Sequence, residues 1–120
     1  HMLRVIFYGS YKFPREVTWF SGVGLLILVL GFGFTGYLLP WDQKAYWATI
    51  VGTRIAEVTP IVGRWILLLL RGGEELTAVT LARFYGMHVW ALPAALLLLL
   101  LIHLYLIVRL GISHIPGEKD

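Results

Sequence analysis

Between Arg83 and Arg109 the chain runs for 25 residues in which, tyrosines aside, the only ionisable side chains are His88 and His103. At ~1.5 Å of rise per residue such a run is ~37 Å long as a helix, enough to cross a ~30 Å hydrocarbon core with some tilt. The two histidines are fifteen positions apart, which is ~22 Å along a straight helix and ~60° around it. Both are therefore expected on roughly one face, one towards each side of a bilayer. An imidazole in hydrocarbon is costly and marks a functional site with a partner.

Two readings of these imidazoles stand. Neutral imidazole is a strong iron ligand, and an apolar slot between helices suits a porphyrin. Two haems at two depths would then form an electron path through the membrane. In the other reading each histidine hydrogen-bonds a neighbouring helix and carries no cofactor.

Composition agrees with a membrane setting. Hydrophobic residues make up 58% of the 120-residue chain and charged residues 14%, with a mean hydropathy of +0.77, too apolar for a soluble domain of this length. The net charge of +3 comes from scattered basic residues, so no nucleic-acid partner is indicated. There is no cysteine, which excludes an iron–sulfur cluster, a disulfide framework and a thioether-linked haem on this chain. No cleavable signal peptide is visible.

A second uncharged run of 25 residues extends from 17 to 41 and holds Gly22, Gly24, Gly31, Gly33 and Gly36. Small-residue helix packing accounts for some of these. Gly22 and Gly36, however, are fourteen apart, or ~21 Å and ~40° of rotation, close to the histidine spacing. A helix wall without side chains would admit a flat macrocycle at each level.

The remaining segments read as connections. Taken alone, His1-Met2 resembles the remnant of tag removal, whereas Leu3 to Tyr8 reads as the last turns of a helix, stopped by Gly9-Ser10. Trp19 suits an interfacial anchor. The stretch 44–82 mixes Lys44, Arg54, Arg64 and Arg71 with Glu57, Glu74 and Glu75, and holds two apolar runs too short to span, expected along the membrane surface. Pro60 and Gly63 separate them, Gly72-Gly73 marks a turn, and Thr77 or Thr80 suits a helix cap. The expected plan is a single all-α membrane domain: 1–9 the end of a helix, 17–41 and 84–110 transmembrane helices, 44–82 a surface loop with short helices, and 111–120 a polar tail. Arg4, Lys12, Arg15, Arg109 and Lys119 then mark the side of the termini as cytoplasm-like.

The segments HMLRVIFYGSYKFPREVTW, GFTGYLLPWDQKAYWA and TLARFYGMH, followed by Leu92-Pro93, His103 and Gly111-Ile112-Ser113, resemble the cytochrome b family of quinol–cytochrome c and quinol–plastocyanin complexes. The likeness covers essentially the whole chain and lies nearer the chloroplast-type branch and its bacterial relatives. It implies a transmembrane helical bundle, part of a four-helix dihaem core, here spanning the end of the second helix to the end of the fourth. On that likeness the chain reads as a fragment or one piece of a split cytochrome b.

The resemblance implies two b-type haems. His1 followed three residues later by Arg4 matches the family's second ligand on its second helix, so His1 would pair with His103 on the negative-side haem. Arg4 would neutralise a propionate of that haem. His88 would ligate the positive-side haem, whose other ligand lies outside this chain. Gly22 and Gly36 would pack against the haems. Phe34, Tyr37, Trp47 and Ala48 match positions near a quinol-oxidising pocket. Val108 stands where mitochondrial members carry a quinone-contacting histidine, and His114 reads as a solvated loop residue.

The implied function is transmembrane electron transfer between two quinone sites in a quinol oxidoreductase complex, coupled to proton translocation, with quinol as substrate and no catalytic residue on this chain. The chain would not be catalytically complete alone. Implied partners are the remaining cytochrome b helices or a complementary chain, a Rieske iron–sulfur protein, a c-type cytochrome and the lipid bilayer, in a dimeric complex. The location would be multi-pass in a bacterial inner or thylakoid-type membrane. Two other classes remain at this point: a dihaem anchor of a quinone-linked dehydrogenase, and a haem-free structural subunit.

Overall fold

The computed structural model describes residues 1–118. Lys119, counted above among the basic residues of the termini, and the last residue of the tail lie outside the described residues. Every regular element among the described residues is helical: α1 (Met2–Phe7), α2 (Glu16–Leu38), α3 (Gln43–Glu57), α4 (Gly63–Arg71), α5 (Ala78–Gly86), a π-helical turn (Met87–Ala91) and α6 (Leu92–Leu110). The last three form one 33-residue helix, Ala78–Leu110. This helix and α2 are long and apolar enough to cross a membrane, and only 6% of the apolar window of each is buried within the chain. Most of their apolar surface is thus left uncovered within the chain, as expected of helices solvated by lipid or by further helices.

The chain packs as two compact units. The first contains His1–Leu28 and the chain from Ala95 onward. Here α1 stops where Gly9 adopts a left-handed φ of 67°, which a residue without Cβ takes at no steric cost. α2 and α6 approach closely at Gly24, where a Cβ would lie 2.7 Å from Cδ2 of Leu99. The chain leaving α6 is tied back by Arg15, whose Nε and Nη2 donate to the carbonyls of Gly111 and Ile112, both at 3.2 Å. The hydroxyls of Ser10 and Ser113 meet beside it.

The second unit contains Val29–Ala94. α2 ends at Leu38, three residues before the end drawn from the uncharged run, because Pro40 has no N–H to continue the ladder and its ring would strike the carbonyl four residues back. Asp42 then caps α3, accepting from the Ala45 N–H at 2.8 Å. The inner face of α3 is Ala45, Thr49 and Thr53, each threonine hydroxyl donating to the carbonyl four residues back. α4 starts at Gly63 because a Cβ there would run into the Glu57 carbonyl, and it ends at Gly72 in the left-handed region. Both threonines considered as caps act together. Thr77 accepts from the Val79 N–H at 3.2 Å, and Thr80 Oγ1 accepts from the Thr77 N–H at 3.1 Å. Helix therefore begins at Ala78, six residues before the 84 drawn from the apolar run. Arg71, only 3% exposed, donates to Thr53 Oγ1 (2.9 Å), the Glu74 carbonyl (2.7 Å) and the Ile50 carbonyl (3.3 Å), so one guanidinium joins α3 to the turn after α4. Leu38, Ala45, Leu76 and Phe84 form the apolar core above it.

Pro93 explains the π-helical turn. Its ring would clash with the Val89 carbonyl in a regular α-helix. Widening the turn relieves this, and the Leu92 N–H bonds instead to the Met87 carbonyl, five residues back.

Candidate functional site

In the first unit His103 projects from α6 and is 9% exposed. Its Nδ1 lies 2.7 Å from Ser21 Oγ on α2, and the same hydroxyl donates to the Thr18 carbonyl at 2.7 Å. Gly22, the next residue, lies against the ring, where a Cβ would be 3.2 Å from Cε1. The His1 ring meets that of His103 edge-on, with centroids 6.3 Å apart and planes at 88°. With metal–nitrogen bonds of about 2 Å and ring centres about 1 Å behind the ligating nitrogen, imidazoles on opposite faces of one metal have centroids about 6 Å apart. The observed separation meets that requirement. Beside the two rings is a cleft of about 200 Å³, lined among others by His1, Arg4, Arg15, Thr18, Gly22 and His103. Two guanidinium groups in its lining suit a ligand carrying carboxylates. Thr18 Oγ1 is buried without a hydrogen-bond partner, a polar atom that an occupant of the cleft would satisfy. Among the described residues no three His, Asp or Glu side chains converge to hold a metal ion. Two imidazoles fill two positions on a metal, and a macrocycle would supply the others. The residues fit a haem.

In the second unit His88 sits in the π-helical turn, with Nδ1 3.2 Å from Thr35 Oγ1. That hydroxyl donates to the Gly31 carbonyl at 2.8 Å. Gly36 follows it, and a Cβ there would lie 2.7 Å from Cε1 and 3.2 Å from Nδ1 of His88. Phe32 meets the ring edge-on at 5.4 Å. A separate open cleft of about 310 Å³ is lined by Gly33, Phe34, Tyr37, Ala48 and Thr49. Three of the four residues matched to a quinol pocket are thus together. Trp47 does not line the cleft: its Nε1 donates to Gln43 Oε1 at 3.0 Å and its ring meets that of Tyr46 edge-on at 5.2 Å.

The glycines of α2 divide by what they touch. Gly22 and Gly36 face the histidine rings, whereas Gly24 and Gly31 face Leu99 and Leu92, and a Cβ on Gly33 would meet nothing within 4 Å. The π turn also changes the spacing argument. It takes up about one extra residue, so the fifteen steps from His88 to His103 behave as about fourteen α-helical ones. That equals the spacing of Ser21 from Thr35 and of Gly22 from Gly36. The residues missed by reading the sequence are Ser21, Thr35 and Thr18, together with Gly33 and Thr49 of the open cleft. A repeat was visible for two of them: hydroxyl-glycine pairs, Ser21-Gly22 and Thr35-Gly36, separated by fourteen residues.

These features define an all-helical membrane protein with histidines set at intervals along an apolar helix, each backed by a hydroxyl and a glycine. The chain belongs to the cytochrome b family: the family described as Cytochrome b(N-terminal)/b6/petB matches residues 1–119. It is 54% identical over 114 residues to the menaquinol:cytochrome c reductase cytochrome b subunit of Geobacillus thermodenitrificans, covering 94% of this chain and 51% of that protein. It is 45% identical over 113 residues to cytochrome b6 of Heliomicrobium gestii, covering 94% of this chain and 53% of that protein. A solved hyperthermophilic respiratory Complex III contains a chain that matches with a TM-score of 0.85 and 38% identity, over 100% of this chain and 34% of that one. The chain spans about half the length of the first two relatives.

Proposed function

We propose that this chain forms part of the haem-binding core of cytochrome b in a quinol:cytochrome c or quinol:plastocyanin oxidoreductase, a multi-pass protein of a bacterial inner or thylakoid-type membrane. In this reading the complex passes electrons across the membrane between two quinone sites, with coupled proton translocation. A haem held by His1 and His103 would supply reversible one-electron transfer. The observation that carries the reading is the His1–His103 pair, whose centroid separation of 6.3 Å suits two ligands of one metal.

Each residue then has a task. His103 and His1 hold the iron of one haem, and Arg4 and Arg15 line the same cleft, where they balance carboxylate charge. Gly22 keeps the wall beside the His103 ring free of a side chain. His88 holds the iron of a second haem, whose other ligand comes from the remaining helices of the protein or from a complementary chain. Phe34, Tyr37 and Ala48 line the cleft that accepts a quinol ring, and Trp47 stands on the adjoining turn of α3. The Rieske protein and c-type cytochrome complete the dimeric complex as electron acceptors.

His103→Ala tests the assignment in the purified complex. Loss of one of two b-type components from the visible spectrum, with the other retained, is expected. Retention of both components would refute it.

A further inference from the structure

The two histidines of the long helix meet the same arrangement, and the hydroxyl proton decides what it does. Ser21 has one hydroxyl proton, and the Thr18 carbonyl takes it at 2.7 Å. With the proton assigned to that carbonyl, the remaining contact, 2.7 Å to His103 Nδ1, has the ring donating and the serine oxygen accepting. Thr35 repeats this: its proton goes to the Gly31 carbonyl at 2.8 Å, leaving its oxygen to accept from His88 Nδ1 at 3.2 Å. A neutral imidazole protonated on Nδ1 has its lone pair on Nε2.

We infer that Ser21 and Thr35 are positioning residues, each of which fixes one histidine as the Nδ1–H tautomer with Nε2 free for the iron and sets the potential of that histidine's haem. The inference rests on the haem reading above. A hydrogen bond accepted from the far ring nitrogen orients an imidazole and raises its basicity as a ligand. A more basic imidazole favours ferric over ferrous iron, so loss of the acceptor raises the midpoint potential. Neither hydroxyl touches the iron, and each acts on one site because each faces one ring.

The test is a redox titration of the b-band absorbance in the intact cytochrome complex. It compares Ser21→Ala and Thr35→Val with the hydroxyl-retaining Ser21→Thr and Thr35→Ser. Expected is a positive shift of one component in Ser21→Ala and of the other in Thr35→Val. The expected size is about tenfold in the ferric-to-ferrous preference, equivalent to about 59 mV for one electron. The hydroxyl-retaining variants should titrate like the parent. Loss of one haem in Ser21→Ala with its retention in Ser21→Thr also supports the inference. It is overturned if both haems remain at parental potentials without the hydroxyls, if both variants move the same component, or if Ser21→Ala and Ser21→Thr lose haem alike. A parent complex without b-type haem would overturn the underlying reading instead, and is told apart because it shows before any substitution is made.

Discussion

Gly36 lies so close to the imidazole of His88 that a Cβ at this position would be 2.7 Å from Cε1. The ring is confined on its other edges by Thr35 Oγ1 and by Phe32, so it cannot retreat without giving up the hydrogen bond. Gly36→Ala is therefore expected to turn His88 out of place and remove one b-type component from the absorbance spectrum. Gly22→Ala should be milder, because its Cβ would sit 3.2 Å from the His103 ring, and Gly33→Ala should leave the spectrum unchanged, since nothing lies within 4 Å. That graded order, measured as haem per polypeptide, separates ring packing from a general need for small residues.

Pro93 forces the π-helical turn, and the turn sets the direction in which His88 leaves the helix. Pro93→Ala restores a backbone N–H and removes the ring from the Val89 carbonyl. The segment can then close into a regular α-helix, rotating His88 by roughly 100° about the axis. The expected result is loss of the component assigned to His88 with that of His103 retained. Deleting Ala91 in the Pro93→Ala background should recover it, because fourteen regular steps replace fifteen interrupted ones. Spectra of the single and double variants measure both effects.

Much of this was legible in the chain, for identifiable reasons. Uncharged runs closed by Asp42 and by Arg109 mark helices because hydrocarbon tolerates little else, and the histidine and glycine spacings can be counted directly. The hydroxyls of Ser21 and Thr35 were not legible as partners of histidine. Serine and threonine in apolar helices ordinarily satisfy themselves on a nearby carbonyl, and both do so here; only the facing imidazole reveals the second use of the oxygen. Pro93 was visible, but the length of the widened turn depends on which carbonyl accepts from Leu92. Arg71 looked like any other basic residue of the loop, since no local pattern announces that a guanidinium is buried.

Arg71 should hold the short helices together. Burial, with a further push from the neighbouring cation Arg54, draws its pKa below the ordinary arginine range. The carbonyls of Ile50 and Glu74 and the Thr53 hydroxyl compensate by accepting from it. Arg71→Met leaves the Glu74 carbonyl without that donor, at ~1–3 kcal/mol, whereas the Ile50 carbonyl still accepts from Thr53 Oγ1 at 3.1 Å; partly offset by no longer burying a charge, the net loss is about 1–2 kcal/mol. Hydrogen exchange in α3 and α4 should accelerate accordingly, while Thr53→Val, which removes a single acceptor, should have roughly a third of the effect.

Glu57 makes the joint between α3 and α4 sensitive to acid. Its carboxylate accepts from Arg54 Nη1 at 2.7 Å and from Arg64 Nη1 at 3.1 Å, and Arg64 also pairs with Glu74. The hydrogen bond from Arg54, then that from Arg64, holds the Glu57 pKa below its ordinary value of 4.5. A carboxyl whose pKa is depressed by folding contributes stability that is present above its unfolded pKa and disappears as pH falls through the lower folded one. Protection of the 57–64 amides should therefore be level from neutral pH down to about 5 and fall only in stronger acid. In Glu57→Gln the pairing is absent throughout, so protection should already be reduced at neutral pH and the acid step should vanish. These pairs are exposed, so raising the salt concentration should bring the parent towards the variant at neutral pH. Protection factors measured across this range at low and high salt would show whether the ion pairs or the backbone joint at Gly63 dominate.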